Sequence, residues 1–310
     1  MIKKSGFISA VSALTMLLFA VLTTAAQTSP STPKDDPSQR VKSAPASVWT
    51  MFQAAGMKPV NRTLTAAQQK KVKNAFALLP PMHQRILRKH LYSISFMDDM
   101  PNTALISPID TSGVSKLFNI TFRAGLLDET ISEWATKKEN TCFEPVTGAK
   151  YTLRVEAGNL DALIYVLMHE ATHIVDAVTE ITPHPSKRDA VVEPTPFTKG
   201  VWRMMNKPDA NYMDSLLEQT RFRSGQALPI NQAPEVYQKL AKTPFASLYG
   251  MAAWFEDIAE LATIYHLTTQ FNQPFYVIVM KDGKELARFE PMRNELVKQR
   301  LNQLSAFYVN

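Results

Sequence analysis

Residues 159–180 read NLDALIYVLMHEATHIVDAVTE. Leu160, Leu163, Ile164, Leu167, Ala171, Ile174, Val175 and Val178 recur in steps of three and four, the spacing of one buried helix face. Asn159 stands at the N-cap position, and Pro183 and Pro185 close the far end. Such a helix carries His169 and His173 one turn apart on the same side. Two imidazole nitrogens so placed can take two corners of a tetrahedral zinc site. Glu170, next to the first histidine, can reach a water on that metal without ligating, which is the position of a general base. The alternative is a pair of surface histidines beside a solvated glutamate, and a third ligand elsewhere in the chain would decide against it.

A second helix offers that ligand. Residues 252–269 read AAWFEDIAELATIYHLTT, with Trp254, Phe255, Ile258, Leu261, Ala262 and Tyr265 on the apolar face. Against that face, Glu256 and Glu260 are four apart and share a side. A carboxylate completing a His-His-Glu set leaves one position for water, as a catalytic zinc needs. Glu260 could accept a hydrogen bond from the other nitrogen of a ligating histidine and so fix its tautomer. Asp176 and Asp257 compete for that supporting role, and a solvated acidic face is the alternative for Glu256 and Glu260.

His169-Glu170-x-x-His173 followed by a helical glutamate resembles the plan of the gluzincins, a group of zinc metallopeptidases. The stretch 249–260, YGMAAWFEDIAE, is similar to the corresponding helix in their anthrax lethal factor-like and Pro-Pro endopeptidase-like members. There a Tyr precedes the ligand Glu by seven residues, and an Ala-Glu follows at the offset of Ala259-Glu260. The resemblance implies one zinc ion held by His169, His173 and Glu256, with Glu260 as the supporting acid. It implies Glu170 as the base and Tyr249 as the phenol that stabilises an oxyanion. It also implies a zincin-like α+β fold, helix-rich, in which a small sheet packs on the motif helix and its edge strand pairs with extended peptide substrate. About a third of the chain carries the resemblance.

The rest of the chain is read from its start. Met1 to Ser5 form a basic leader, and residues 6–24 are uncharged and mostly apolar before Thr24-Ala25-Ala26. This is the pattern of a bacterial secretory signal peptide over 1–26, with an uncleaved N-terminal anchor as the alternative. Cleavage would leave a periplasmic or secreted protein with no stable membrane association. The single cysteine, Cys142, has no partner for an intramolecular disulfide and excludes a cysteine-rich zinc site. The formal net charge of +6 is spread along the 310 residues, which gives nucleic-acid binding no support. Residues 27–45, rich in Pro, Ser and charge, read as a flexible linker to one metallopeptidase domain over 46–310.

Within that domain, 46–158 form an N-terminal lobe, 159–180 the motif helix, 181–245 an insertion, and 246–310 the third-ligand helix with a C-terminal lobe. Two helices over 65–92 should meet at Pro80-Pro81. They carry His83 and His90, which read as ordinary surface or interfacial histidines. Strands are expected at 92–96, 117–122 and 151–155, with 117–122 as the substrate-pairing edge. A short helix capped by Asp128 should bury Ile131 and Trp134. The insertion holds eight of the chain's 20 prolines and reads as loops and short helices, either selecting substrate or buttressing the fold. His184 within it is an exposed loop histidine unless it orients substrate. A hairpin over 274–289 turned at Asp282-Gly283 and a terminal helix over 293–304 complete the core. Peptide hydrolysis is the leading expectation. A metallohydrolase acting on a cell-wall amide and a non-enzymatic envelope binding protein are the rivals.

Overall fold

The computed structural model of the chain describes residues 36–109, 116–148, 150–187 and 189–309, so the leader expected over 1–26 lies outside the described residues. In chain order, helix α1 (Ala46–Ala54) and strand β1 (Val60–Asn61) precede α2 (Ala66–Ala77) and α3 (Pro81–His90), which part at the proline pair. Strands β2 (Leu91–Asp98), β3 (Ala104–Pro108) and β4 (Phe118–Arg123) follow, then α4 (Ile131–Asn140), β5 (Phe143–Glu144) and β6 (Tyr151–Glu156). The motif helix is α5 (Ala162–Thr179). After it come β7 (Trp202–Met204), β8 (Lys207–Pro208), the single turn α6 (Arg221–Ser224), β9 (Leu228–Pro229) and α7 (Ala233–Leu240). Helix α8 (Trp254–Gln270) then leads to β10 (Tyr276–Lys281) and β11 (Lys284–Phe289). The fold class is α+β.

The main sheet has the order β1-β2-β4-β3, with β2 and β4 parallel and the outer strands antiparallel to their neighbours. Alternation sorts its side chains between two faces. Ile94, Phe96, Ala104, Ile120 and Phe122 share a face and join Leu163, Leu167 and Ile174 of α5 in the main core. On the other face, Asn119 Nδ2 donates to Ser93 Oγ and Ser95 Oγ at 2.9 Å each and its Oδ1 accepts from Thr121 Oγ1 at 2.8 Å. All four are buried, so this strip satisfies its own polar atoms. The strand expected as the free edge, 117–122, is β4 and lies inside the sheet; the outer strands are β1 and β3. A terminal Pro108, which has no N–H to donate, is a mark of an edge that β3 carries and β4 lacks.

A second sheet, β11-β10-β6, contributes Leu153, Val155, Val277 and Val279 to the same core. Its hairpin turns at Asp282 and Gly283 with φ of 49° and 78°, the double positive φ of a tight hairpin turn. The far edge of β6 faces α4, where Ser132, Thr136 and Asn140 recur every four residues. The N–H groups of Ala157 and Val155 donate to Ser132 Oγ and Thr136 Oγ1 at 2.9 Å each, and Asn140 Nδ2 donates to the Leu153 carbonyl at 3.0 Å. Side chains of one helix thereby close a strand edge that would otherwise present unpaired groups.

Where boundaries differ from the sequence expectation, a particular contact accounts for it. Residues 36–45 of the expected linker are packed against the fold. Arg40 is buried and donates to the Leu87, Arg88 and Leu91 carbonyls at the end of α3, while the backbones of Arg40 and Lys42 pair with Ile94. A cation there meets the negative end of a helix. Helix α5 starts after Asp161 rather than Asn159, and the Asp161 carboxylate takes Lys71 Nζ at 2.8 Å. Helix α4 is capped by Thr130, not Asp128, because Thr130 and Glu133 form a reciprocal capping box. The terminal segment is α-helical only over Glu295–Lys298 and then 3-10 over Leu301–Tyr308, which stacks Leu304 and Phe307, three apart, on one buried side.

His83 is the buried case of its expected pair, set between α3 and α5 against the Phe307 ring. Its Nε2 donates to Thr172 Oγ1 at 3.0 Å, because that hydroxyl gives its own proton to the Met168 carbonyl at 2.8 Å. Burial, with His266 adding to it, pushes the His83 imidazole down to about 3. Below roughly pH 6.5 the unfolded chain takes up a proton that the folded imidazole refuses. Stability should therefore be full above that pH and fall as pH drops toward 3. Urea denaturation near neutrality and at mildly acid pH tests this: His83→Gln should lose less stability on acidification than the parent, and an equal loss would reject the assignment.

Candidate metal centre

Helices α5 and α8 pack along each other, and their facing sides bury His169, Glu256 and Glu260. His169 Nε2 lies 3.0 Å from Glu256 Oε2 and 3.1 Å from His173 Nε2, and His173 Nε2 is 3.4 Å from the same oxygen. Ligands about 2.0–2.1 Å from a tetrahedral zinc stand roughly 3.3–3.4 Å apart. The triangle is close to one face of such a site, and these three residues could hold a metal ion. Two ring nitrogens and a carboxylate oxygen aimed at one point also require a cation or a proton between them.

The charges around that point favour positive charge. Burial alone would lower the His169 imidazole, but Glu256 and Glu260 outweigh it and hold it up at about 9. Burial would raise the Glu256 carboxyl, yet His173 and His169 keep it well below the usual carboxylate range. Glu260, one turn further on, places Oε1 3.1 Å from His169 Nδ1 and 3.3 Å from Lys138 Nζ, and its Oε2 accepts from Ser247 Oγ at 2.6 Å. The His169 contact is bent rather than in line with the ring N–H. Burial works against the charge here too, but Lys138, His169 and Ser247 bring the Glu260 carboxyl to about 2.

Tyr249 and Glu170 complete the cluster. Tyr249 sits in the turn Tyr249–Met251 ahead of α8, donates its hydroxyl to Glu256 Oε1 at 2.8 Å, and lays its ring along that of His169. Ser247 Oγ, while donating to Glu260, accepts from the Gly250 N–H at 2.9 Å and so ties this turn to α8. Glu170 is half-buried on α5. Burial raises its carboxyl, with His169 and His173 opposing, so it is a stronger base than an exposed glutamate.

Other expected residues go elsewhere. The Asp176 carboxylate accepts from the Thr182 N–H and hydroxyl at 2.6 Å each and faces His184, closing the end of α5 instead of supporting a ligand histidine. It stands two turns, roughly 10 Å, along the axis from His169, and the turn after the helix claims it. Asp257 points away from Glu256 and pairs with Arg300 at 3.0 and 2.6 Å and with Trp202 Nε1 at 2.8 Å. His90 is a surface residue whose Nδ1 donates to the Lys116 carbonyl.

Sequence reading missed the groups that reach the site from other elements. Lys138 of α4 lies 4.0 Å above the Tyr249 ring. Arg223 of α6 donates to the carbonyls of Asn206 at 2.7 Å and Met251 at 2.9 Å, and Phe222 packs 4.8 Å from the Tyr249 ring. With the Trp254 N–H donating to Met205, the insertion braces the turn that carries Tyr249. No spacing connects residue 138 or 223 to 249, so no periodicity could have found them.

No helix among the described residues is long and apolar enough to cross a membrane. Compared with protein-family models, with curated proteins and with solved structures, the chain has no match.

The buried pair yields a stability prediction separate from the metal. Arg300→Met leaves Asp257 buried without its cation and should cost about 3–5 kcal/mol of folding free energy, read by urea denaturation. Any metal the parent takes up should be kept by the folded variant; a loss of metal at full stability would return Asp257 to the site.

Proposed function

We propose that this chain is an exported zinc metallopeptidase of gluzincin type, with a zincin-like catalytic domain, that hydrolyses peptide bonds in extended peptide or protein substrates. The observation that carries the reading is the convergence of His169, His173 and Glu256 within hydrogen-bonding distance of one another beside Glu170. A zinc ion held by those three would supply acidity to a water and polarisation to the scissile carbonyl. Glu170 takes the proton of the attacking water and passes it to the leaving amine. The Tyr249 hydroxyl, next to the ligand set, is the donor available to an oxyanion. Glu260 orients His169 through its other ring nitrogen. Strand β3, outermost in its sheet and in contact with α5, offers an extended peptide a backbone partner. Export rests on the leader over 1–26.

Zinc analysis of the purified protein beside Glu256→Ala, Glu260→Ala and Glu170→Gln tests this together with a peptide library. The parent should hold one zinc, lost in Glu256→Ala and weakened in Glu260→Ala. Glu170→Gln should keep the metal while hydrolysis falls by roughly 10²–10⁴-fold. Zinc affinity should also drop with pH, because protons compete for His169 and His173. Turnover of peptidoglycan but no peptide would identify a wall-amide hydrolase, and zinc without any hydrolysis a binding protein. A parent that takes up no zinc would sink the proposal.

A further inference from the structure

We propose that Lys138 is a positioning residue of the metal centre, whose ammonium holds Glu260 behind His169 and Tyr249 against Glu256 at the same time. This rests on the zinc reading above and goes beyond it, since Lys138 belongs neither to the ligand set nor to either helix that carries it.

The geometry is specific. Lys138 Nζ lies 3.3 Å from Glu260 Oε1 and 4.0 Å from the centroid of Tyr249, with the rings of Trp134 and Phe222 at 5.3 and 5.9 Å. A carboxylate on one side and three aromatic faces around it make a cage for an ammonium. Its side chain is only 20% exposed and that of Glu260 2%, so this is no solvated surface pair. The two groups it touches are those that support the ligands: Glu260 contacts His169 Nδ1, and Tyr249 donates to Glu256. One cation thus links both supports while touching neither histidine.

Glu260 is buried, and a buried carboxylate is costly unless it is balanced; Lys138 is the cation placed beside it. Lys138 repels a metal ion while it positions the residues that surround one, so losing its charge should loosen the supports and relieve that repulsion together, and the relief offsets the loosening in metal affinity.

The test measures zinc affinity by chelator competition, the absorption spectrum of the cobalt-substituted protein, and thermal unfolding to establish that each variant is folded. Lys138→Met should bind zinc as tightly as the parent or up to about tenfold tighter, with a changed cobalt spectrum. Lys138→Arg should restore the parent spectrum. Glu260→Gln alone should weaken zinc roughly 10–100-fold, and adding Lys138→Met should recover part of that loss, because the stranded cation is gone. Lys138→Gln, which keeps a donor to Glu260 but no charge, serves if the methionine variant does not fold and should follow its pattern. Zinc weakened in Lys138→Met as much as in Glu260→Gln, or a double variant worse than either single one, would overturn the role of Lys138 alone. A parent without zinc would overturn it together with the peptidase reading.

Discussion

The seam between α5 and α8 is a place where several charges are buried together and none is affordable alone. His169, Glu256 and Glu260 are each almost inaccessible to solvent. A carboxylate or imidazolium removed from water is stable only beside opposite charge and hydrogen-bond donors. That requirement sets the register of the two helices. His169 must face Glu256 through one ring nitrogen and Glu260 through the other, and residues four apart on α8 supply both. The apolar faces of the same helices then join the core that includes the main sheet.

Much of the remaining structure keeps that seam in place from outside. Helix α4 has two duties on neighbouring sides: Ser132, Thr136 and Asn140 close the edge of β6, and Lys138 reaches Glu260 and Tyr249. The insertion contributes Arg223, whose guanidinium gathers carbonyls from residues 206 and 251 beside the Tyr249 turn. Arg300, from the C-terminal segment, fixes the opposite side of α8 through Asp257, the immediate neighbour of Glu256. Three segments distant in sequence therefore converge on one short stretch, 249–260. Each does so through a cation, because the turn and the first part of α8 present carbonyls and carboxylates that need one.

Sequence periodicity was a good guide where a single element decides its own state. The motif helix, the helix pair parted at Pro80-Pro81, and the hairpin at Asp282-Gly283 stand where their patterns place them, since helix faces, proline sterics and positive φ are local properties. Element ends were less legible. Asn159 and Asp128 have cap chemistry, but Asp161 is drawn to Lys71, and Thr130 finds Glu133 three residues on. The order of strands was not legible either. Residues 117–122 look like any half-buried strand, and their interior place depends on β2 and β3 lying on both sides.

The candidate site divides along the same line. His169, Glu170 and His173 share a helix face because of their spacing alone, and Glu256 and Glu260 share another, so the sequence by itself determined these two half-sites and the chemistry they could support. Only the tertiary structure decided that the halves meet with the ring nitrogens and the carboxylate oxygen 3.0–3.4 Å apart. It also decided that Asp176 and Asp257 serve the ends and backs of the helices, and that Lys138 stands beside Tyr249. The physical reason is range. A helix repeats every few residues and imposes that repeat on its side chains, whereas contact between residues 138, 169 and 256 depends on how whole elements pack, which no local repeat encodes.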